Sequence, residues 1–137
     1  MTILDTSLVI PLFGRGGAAY AKRMADEIGD LDIYLTAMTE LEVLQGARGE
    51  ADWRKIEVFL AAQQIIQPAP IVWPQAARAY FDLRRIGHTV RSPIDCLIAE
   101  IAINRNMVLL HNDRDFEAIA TVRPLNQRRI DLQTVPS

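Results

Sequence analysis

"SPIDCLIAEIAINRNMVLLHNDRDFEAIA", residues 92–120, sets out three elements in a row. Residues 92–106 read as a helix: Ser92 can cap it, and Pro93 suits the first helical position. "MVLLH" (107–111) is an apolar run of strand length, bare of polar residues until His111, as expected of a strand buried on both faces. "NDRDFEAIA" (112–120) is a short helix with an acidic first turn. A helix, a buried strand and a helix in succession point to an α/β domain with a parallel sheet.

The same alternation runs outward from this stretch. "MTILD" (1–5) reads as a buried first strand. "TSLVIPLF" (6–13) begins a short helix, bent or ended near Pro11 and broken by Gly14, Gly16 and Gly17. "AAYAKRMADEI" (18–28) is helical, "DIYLT" (32–36) is a second strand, and "TELEVLQGA" (39–47) and "EADWRKIEVFLAAQ" (50–63) are helical again. "QIIQPAP" (64–70) is extended, "PQAARAYFDLRRIG" (74–87) is a helix starting at Pro74, and "IDLQTV" (130–135) is expected as a last strand. No linker or repeat divides the chain, so residues 1–137 are expected to form a single domain.

Composition narrows the class. With 50% hydrophobic and 23% charged residues, the chain has an ordinary globular balance and enough length for a real core. No apolar run approaches the roughly 18 residues of a membrane span. The first residues lack a basic n-region and carry Asp5 inside their apolar stretch, unlike a signal peptide. The single cysteine, Cys96, excludes an internal disulfide and reads as a buried small hydrophobe. A cytoplasmic protein is expected.

The carboxylates carry the functional signal. Asp5 ends the first strand, Glu42 lies early in the helix after the second, and Asp95 lies in the first turn of its helix. Asp113 and Asp115 directly follow the "MVLLH" strand. In a parallel sheet these positions share one edge, where open α/β folds bind ligands. Each acid also has a structural role to offer. Ser92 with Asp95, and Thr39 with Glu42, have capping-box spacing, and Asp113 is a good N-cap. Against a purely surface cap, Asp95 heads a stripe with Ile98, Ala99 and Ala102. Caps alone explain poorly why four chain segments bring acids to one edge. Converging carboxylates need a counter-charge, and a hard divalent cation such as Mg²⁺ or Mn²⁺ suits an all-oxygen shell. Such a centre suits phosphodiester hydrolysis by metal-activated water.

Four stretches in order, "ILDTS" (3–7), "TELEVLQGA" (39–47), "RSPIDCLIAEIA" (91–102) and "LLHNDRDFEAIA" (109–120), resemble the PIN-domain nucleases. More closely, they resemble the VapC toxins of bacterial type II toxin–antitoxin systems. The resemblance implies a three-layer α/β/α sandwich with a mainly parallel central sheet. It matches Asp5, Glu42, Asp95, Asp113 and Asp115 to the catalytic acids, with Asp5, Asp95 and Asp113 as metal ligands. Thr6 or Ser7 matches a hydroxyl that supports the first acid or a metal-bound water. His111 departs from the Thr or Ser common before the acidic pair, so a hydroxyl contact there is missing or replaced. The resemblance further implies a Mg²⁺- or Mn²⁺-dependent endoribonuclease, a VapB-like antitoxin and a homodimer. Antitoxins of this family usually thread a segment along the toxin groove and often place a basic residue near the acids.

The charge balance permits an RNA substrate. Net charge is −2, yet setting the five candidate acids aside leaves 15 basic against 12 acidic residues. "RRIGHTVR" (84–91) places Arg84, Arg85, His88 and Arg91 just before Asp95, as candidate contacts to the RNA backbone. "RPLNQRR" (123–129) is a second basic patch, read as a solvated loop. Residues 39–63, with Trp53 and Phe59, are expected to form a helical arm with surplus apolar surface, a groove for the antitoxin. Two other classes stay open on residues alone. One is a non-catalytic RNA- or partner-binding protein on the same scaffold. The other is a receiver-like phosphotransfer domain, which lacks its expected lysine, since only Lys22 and Lys55 exist.

Overall fold

The first, second and fourth strands form where the apolar runs place them. In the computed structural model, which describes residues 1–133, they are β1 (Thr2–Leu4), β2 (Ile33–Thr36) and β4 (Val108–His111). With β3 (Gln64–Ile66) and β5 (Gln127–Arg129) they make one sheet in the order β3-β2-β1-β4-β5. Every neighbouring pair is parallel, with Ile3 opposite Tyr34 and Leu109, and His111 opposite Arg129. The sheet is therefore wholly parallel among the described residues rather than mainly so.

The strand period of two builds both cores. Ile3 and Leu109 point to the face covered by α5 (Val72–Arg85), α6 (Pro93–Arg105) and α7 (Arg114–Ile119). Leu4, Leu35 and Leu110 point to the other face, against α1 (Thr6–Val9), α2 (Gly17–Ile28) and α4 (Glu50–Ala61). The result is the expected three-layer sandwich. α3 (Ala37–Gln45) follows β2 without a break.

Three local expectations are corrected. The last strand is 127–129, not 130–135; residues 130–133 are not strand, and 134–135 lie outside the described residues. The reason is burial: β5 is an edge strand whose Gln127, Arg128 and Arg129 are half-buried or exposed, so no apolar run marks it. α5 begins at Val72, two residues before Pro74, because a proline is tolerated anywhere in the first turn. α3 begins at Ala37 with Thr36 as its cap, so Thr39 caps nothing and Glu42 stands in the second turn.

α6 is buried on every side rather than along one stripe, with residues 96 to 102 all inaccessible. The fully buried Glu100 is answered by Arg123, whose Nε donates to Oε1 at 2.6 Å and Nη2 to Oε2 at 3.1 Å. Asn106, in the left-handed conformation at φ 54°, ends α6 and turns the chain into β4. Arg123→Ala leaves Glu100 an unpaired buried charge. A loss of about 3 kcal/mol is expected in urea unfolding, at the low end for buried pairs because Arg123 is part-exposed. Arg123→Lys should recover part of it.

Candidate functional site

The carboxyl edge of the parallel sheet collects the acids. β1 delivers Asp5, β4 leads into Asp113 and Asp115, α3 presents Glu42, and the first turn of α6 presents Asp95. Asp5, Glu42, Asp95 and Asp113 line one cavity of about 310 Å³ together with Thr6, Ser7 and Arg91. The tightest grouping is Asp95, Asp113 and Asp115, each offering a carboxylate oxygen within 4.8 Å of the others. Asp5, of the expected ligand trio, lines the same cavity as Asp95 and Asp113.

Two of the acids act as caps and still serve the site. Asp5 Oδ2 accepts from the Ser7 N–H at 2.9 Å and caps α1. Its Oδ1 is buried and has no hydrogen-bond partner. Asp113 Oδ1 accepts from the Asp115 N–H at 3.0 Å and caps α7, and its Oδ2 faces Arg91. Asp95 behaves differently. Ser92 caps α6 through the Ile94 N–H at 3.1 Å, and no hydrogen bond reaches the Asp95 carboxylate. The capping box therefore does not close.

The two hydroxyls divide between the acids. Thr6 Oγ1 lies 2.7 Å from Glu42 Oε1 and 2.8 Å from Thr39 Oγ1. One hydroxyl carries one proton, so Thr6 donates to the Glu42 carboxylate and accepts from Thr39. Ser7 Oγ accepts from the Asn112 N–H at 2.9 Å and ties α1 to the loop after β4. The Ser7 side chain also hydrogen-bonds to Asp5, beside its own N–H, and so supports the first acid as expected. His111 supplies a replacement contact of its own. Its Nδ1 accepts from the Asp113 N–H at 3.1 Å, so the proton sits on Nε2, which donates to Gln127 Oε1 at 2.6 Å. Burial holds this imidazole below its ordinary range, in keeping with a neutral ring.

Repulsion dominates the electrostatics. Burial, and then the charges of Asp5, Asp113, Glu42 and Asp115, push the Asp95 carboxyl up to about 8. Burial likewise pushes Asp5 and Glu42 upward, against the hydrogen bonds from Ser7 and Thr6 that pull them down. One cation of the chain answers this charge: Arg91 donates through Nη2 to Asp113 Oδ2 at 2.7 Å and through Nε to Asp115 Oδ2 at 3.5 Å. Burial pushes the Cys96 thiol up to about 12, so it behaves as the inert small hydrophobe expected.

The oxygen donor set, the orphaned Asp5 Oδ1 and the unbonded Asp95 carboxylate fit a hard divalent cation. The cationic residues divide. His88 and Arg91 line a second cavity of about 810 Å³ that shares Asp113 with the first. Arg84 and Arg85 line neither; their guanidinium groups lie over Tyr80 and Phe81 at 5.8 and 5.5 Å. Asn112, Arg114, Glu117 and Arg129 also line the large cavity, and residue types alone did not single them out. The register of β5 against β4 is the signal that places Arg129 beside Asn112.

The family model of the PIN domain matches residues 2–122. Ribonuclease VapC11 of Mycobacterium tuberculosis is 30% identical over 129 residues, covering 91% of this chain and 96% of its own. Ribonuclease VapC17 of the same organism is 34% identical over 95 residues, covering 68% of this chain and 71% of its own. The crystal structure of VapBC2 from Rickettsia felis, bound to a DNA fragment from its promoter, contains a chain with a TM-score of 0.76. The two chains are 20% identical, with 95% of this chain and 98% of that one covered. This chain belongs to the PIN-domain family, on the VapC branch.

Two outcomes test these electrostatics. The folded protein keeps a proton on Asp95 up to about pH 8 that the unfolded chain loses near its ordinary value of 3.8. Stability from this group is therefore present below about pH 4 and is lost as pH rises through 8. In chelator, the melting temperature should fall from pH 5 to 8.5, and Asp95→Asn should flatten that fall. Separately, Arg91→Ala removes a cation that competes for Asp113 and Asp115. Calorimetric Mn²⁺ titration should show roughly two- to fivefold tighter binding, the scale of an exposed ion pair.

Proposed function

We propose that this protein is a divalent-metal-dependent endoribonuclease and the toxin of a toxin–antitoxin pair. The single observation that carries the reading is the convergence of Asp5, Glu42, Asp95 and Asp113 on one cavity at the sheet's carboxyl edge. Membership of the VapC branch supplies the substrate class. Asp95, Asp113 and Asp115 would hold a Mg²⁺ or Mn²⁺ ion, with Asp5 lining the same cavity as Asp95 and Asp113. When bound, the ion supplies Lewis-acid activation of water and neutralises charge gathering on the phosphate.

The chain's own residues do the rest. Glu42, held by Thr6, and Asp5, held by the Ser7 N–H, fix hydrogen-bond acceptors for an attacking water. The raised Glu42 and Asp5 carboxyls are suited to take its proton. Arg91 is held only by carboxylates and can turn to a phosphate oxygen once those carboxylates are occupied. His88 is the second candidate backbone contact, while Arg84 and Arg85 could meet RNA only farther out along α5.

Two surfaces support the partners. A cavity of about 220 Å³ is lined by Ile10, Phe13, Val43, Ile56 and Glu42, and Trp53 of α4 is exposed. A VapB-like segment laid there would bring a basic residue to the acids and suppress metal and RNA binding together. Exposed Trp73 and Phe81 on α5, with Ile86 just beyond it, supply apolar surface for a homodimer. No helix among the described residues is long and apolar enough to cross a membrane, and action in the cytoplasm follows from an RNA substrate.

Purified protein should cleave single-stranded RNA in Mn²⁺ or Mg²⁺ and stop on addition of EDTA. Asp95→Asn should lower the rate by at least roughly a hundredfold, as expected when a group that stabilises the transition state is lost. Full metal-dependent activity in that variant would rule out the assignment.

A further inference from the structure

The larger cavity, about 810 Å³, opens beside the acids and shares Arg91 and Asp113 with their pocket. That volume lies within the range of small-ligand sites, about 300–1,000 Å³. Its far wall is made by Arg129 at the end of β5, by Asn112 before α7, and by Glu117 on α7. The turn after α5, where Gly87 takes φ +80°, brings His88 to the near side. An RNA strand bound at the acids can run on across this surface, which carries His88, Arg91, Arg114 and Arg129.

The far wall has a defined hydrogen-bonding pattern. Arg129 donates through Nε to Asn112 Oδ1 at 3.1 Å and through Nη1 to Glu117 Oε1 at 3.3 Å. Of its five N–H groups, one on Nη1 and two on Nη2 are left, side by side at the end of the fork. Glu117 keeps Oε2 free as an acceptor next to them. Two adjacent donors are thus followed by an acceptor, in a frame fixed by Asn112. Guanine offers the complement: O6 and N7 accept side by side, and N1–H and N2–H donate next to O6. Cytosine also sets two acceptors, O2 and N3, beside a donor, N4, but it gives the Glu117 carboxylate one donor group where guanine gives two. Adenine sets its N6 donors between N1 and N7, against the guanidinium.

We propose that this cavity is the subsite for a guanine adjoining the scissile phosphate, with Arg129 on O6 and N7 and Glu117 on N1–H and N2–H. The inference rests on the ribonuclease reading for the phosphate's position and on the far wall for the base. His88 and Arg114 line the cavity beside the guanine and face its sugar–phosphate. Glu117 lies outside the acid pocket, so its part is to choose the base.

Two measurements test the site. The first titrates metal-free protein with 5′-GMP, 5′-AMP and 5′-CMP at low salt, followed by NMR, and CMP binding as tightly as GMP overturns the guanine assignment. The second compares cleavage in Mn²⁺ of two unstructured oligonucleotides that differ only in a single G or A. GMP should bind roughly tenfold or more tightly than AMP, the lower range of one good bidentate pair. The G substrate should be favoured to a similar degree in kcat/KM. Arg129→Gln and Glu117→Gln, both at exposed side chains, should bring each ratio towards one with unchanged melting temperature. Cleavage with no G preference, or a preference that survives Arg129→Gln, overturns the subsite and leaves the nuclease intact. Selective, Arg129-dependent GMP binding without any cleavage would instead sink the nuclease reading and uphold the guanine site.

Discussion

Mutual repulsion among buried carboxylates is the constraint around which this molecule is arranged. A parallel sheet sends the ends of β1 and β4 to one edge, and α3 and α6 start from that edge as well. Acids at those positions must face one another. Burial and neighbouring charge push the Asp95 carboxyl up to about 8, and Arg91 alone among the cations bonds to the cluster. A purely structural role would not select such a group, because each member could cap its helix without facing the rest. The proposed cation site would relieve the tension, since a bound metal would turn repulsion into coordination.

The capping and functional roles of these residues coexist through a division of oxygens. Asp5 and Asp113 each use one oxygen on a backbone N–H; the other oxygen of Asp113 accepts from Arg91, and that of Asp5 is buried without a partner. Asp95 leaves the capping to Ser92. Support then runs outward from the acids: Thr6 and Thr39 behind Glu42, and His111 with Gln127 behind Asp113. The last chain matters most for the fold's economy. It couples the edge strand β5 to the loop that carries Asp113, so an ordinary sheet edge helps to hold the site.

Much of this was legible in the sequence wherever burial left an apolar run. β4 and α6 stand in residues 92–111 because both are covered on all sides, and the acids are visible by their positions at element ends. β5 was not legible, because an exposed edge strand of Gln127, Arg128 and Arg129 has no periodic apolar signal. Arg129 was lost with it, since only the parallel register puts that residue against Asn112. Glu42 also has capping-box spacing from Thr39, and only the hydrogen bond from the Thr39 N–H to Thr36 shows that Thr36 is the cap instead. The paired hydroxyl and imidazole contacts join residues up to 105 positions apart, beyond any local pattern.

Anomalous diffraction from crystals grown with Mn²⁺ bears most directly on the metal-centred site. A peak should appear within bonding distance of Asp95 and Asp113, with Arg91 turned away from Asp113. A cluster without a peak at saturating Mn²⁺, with Arg91 still on both carboxylates, would contradict it.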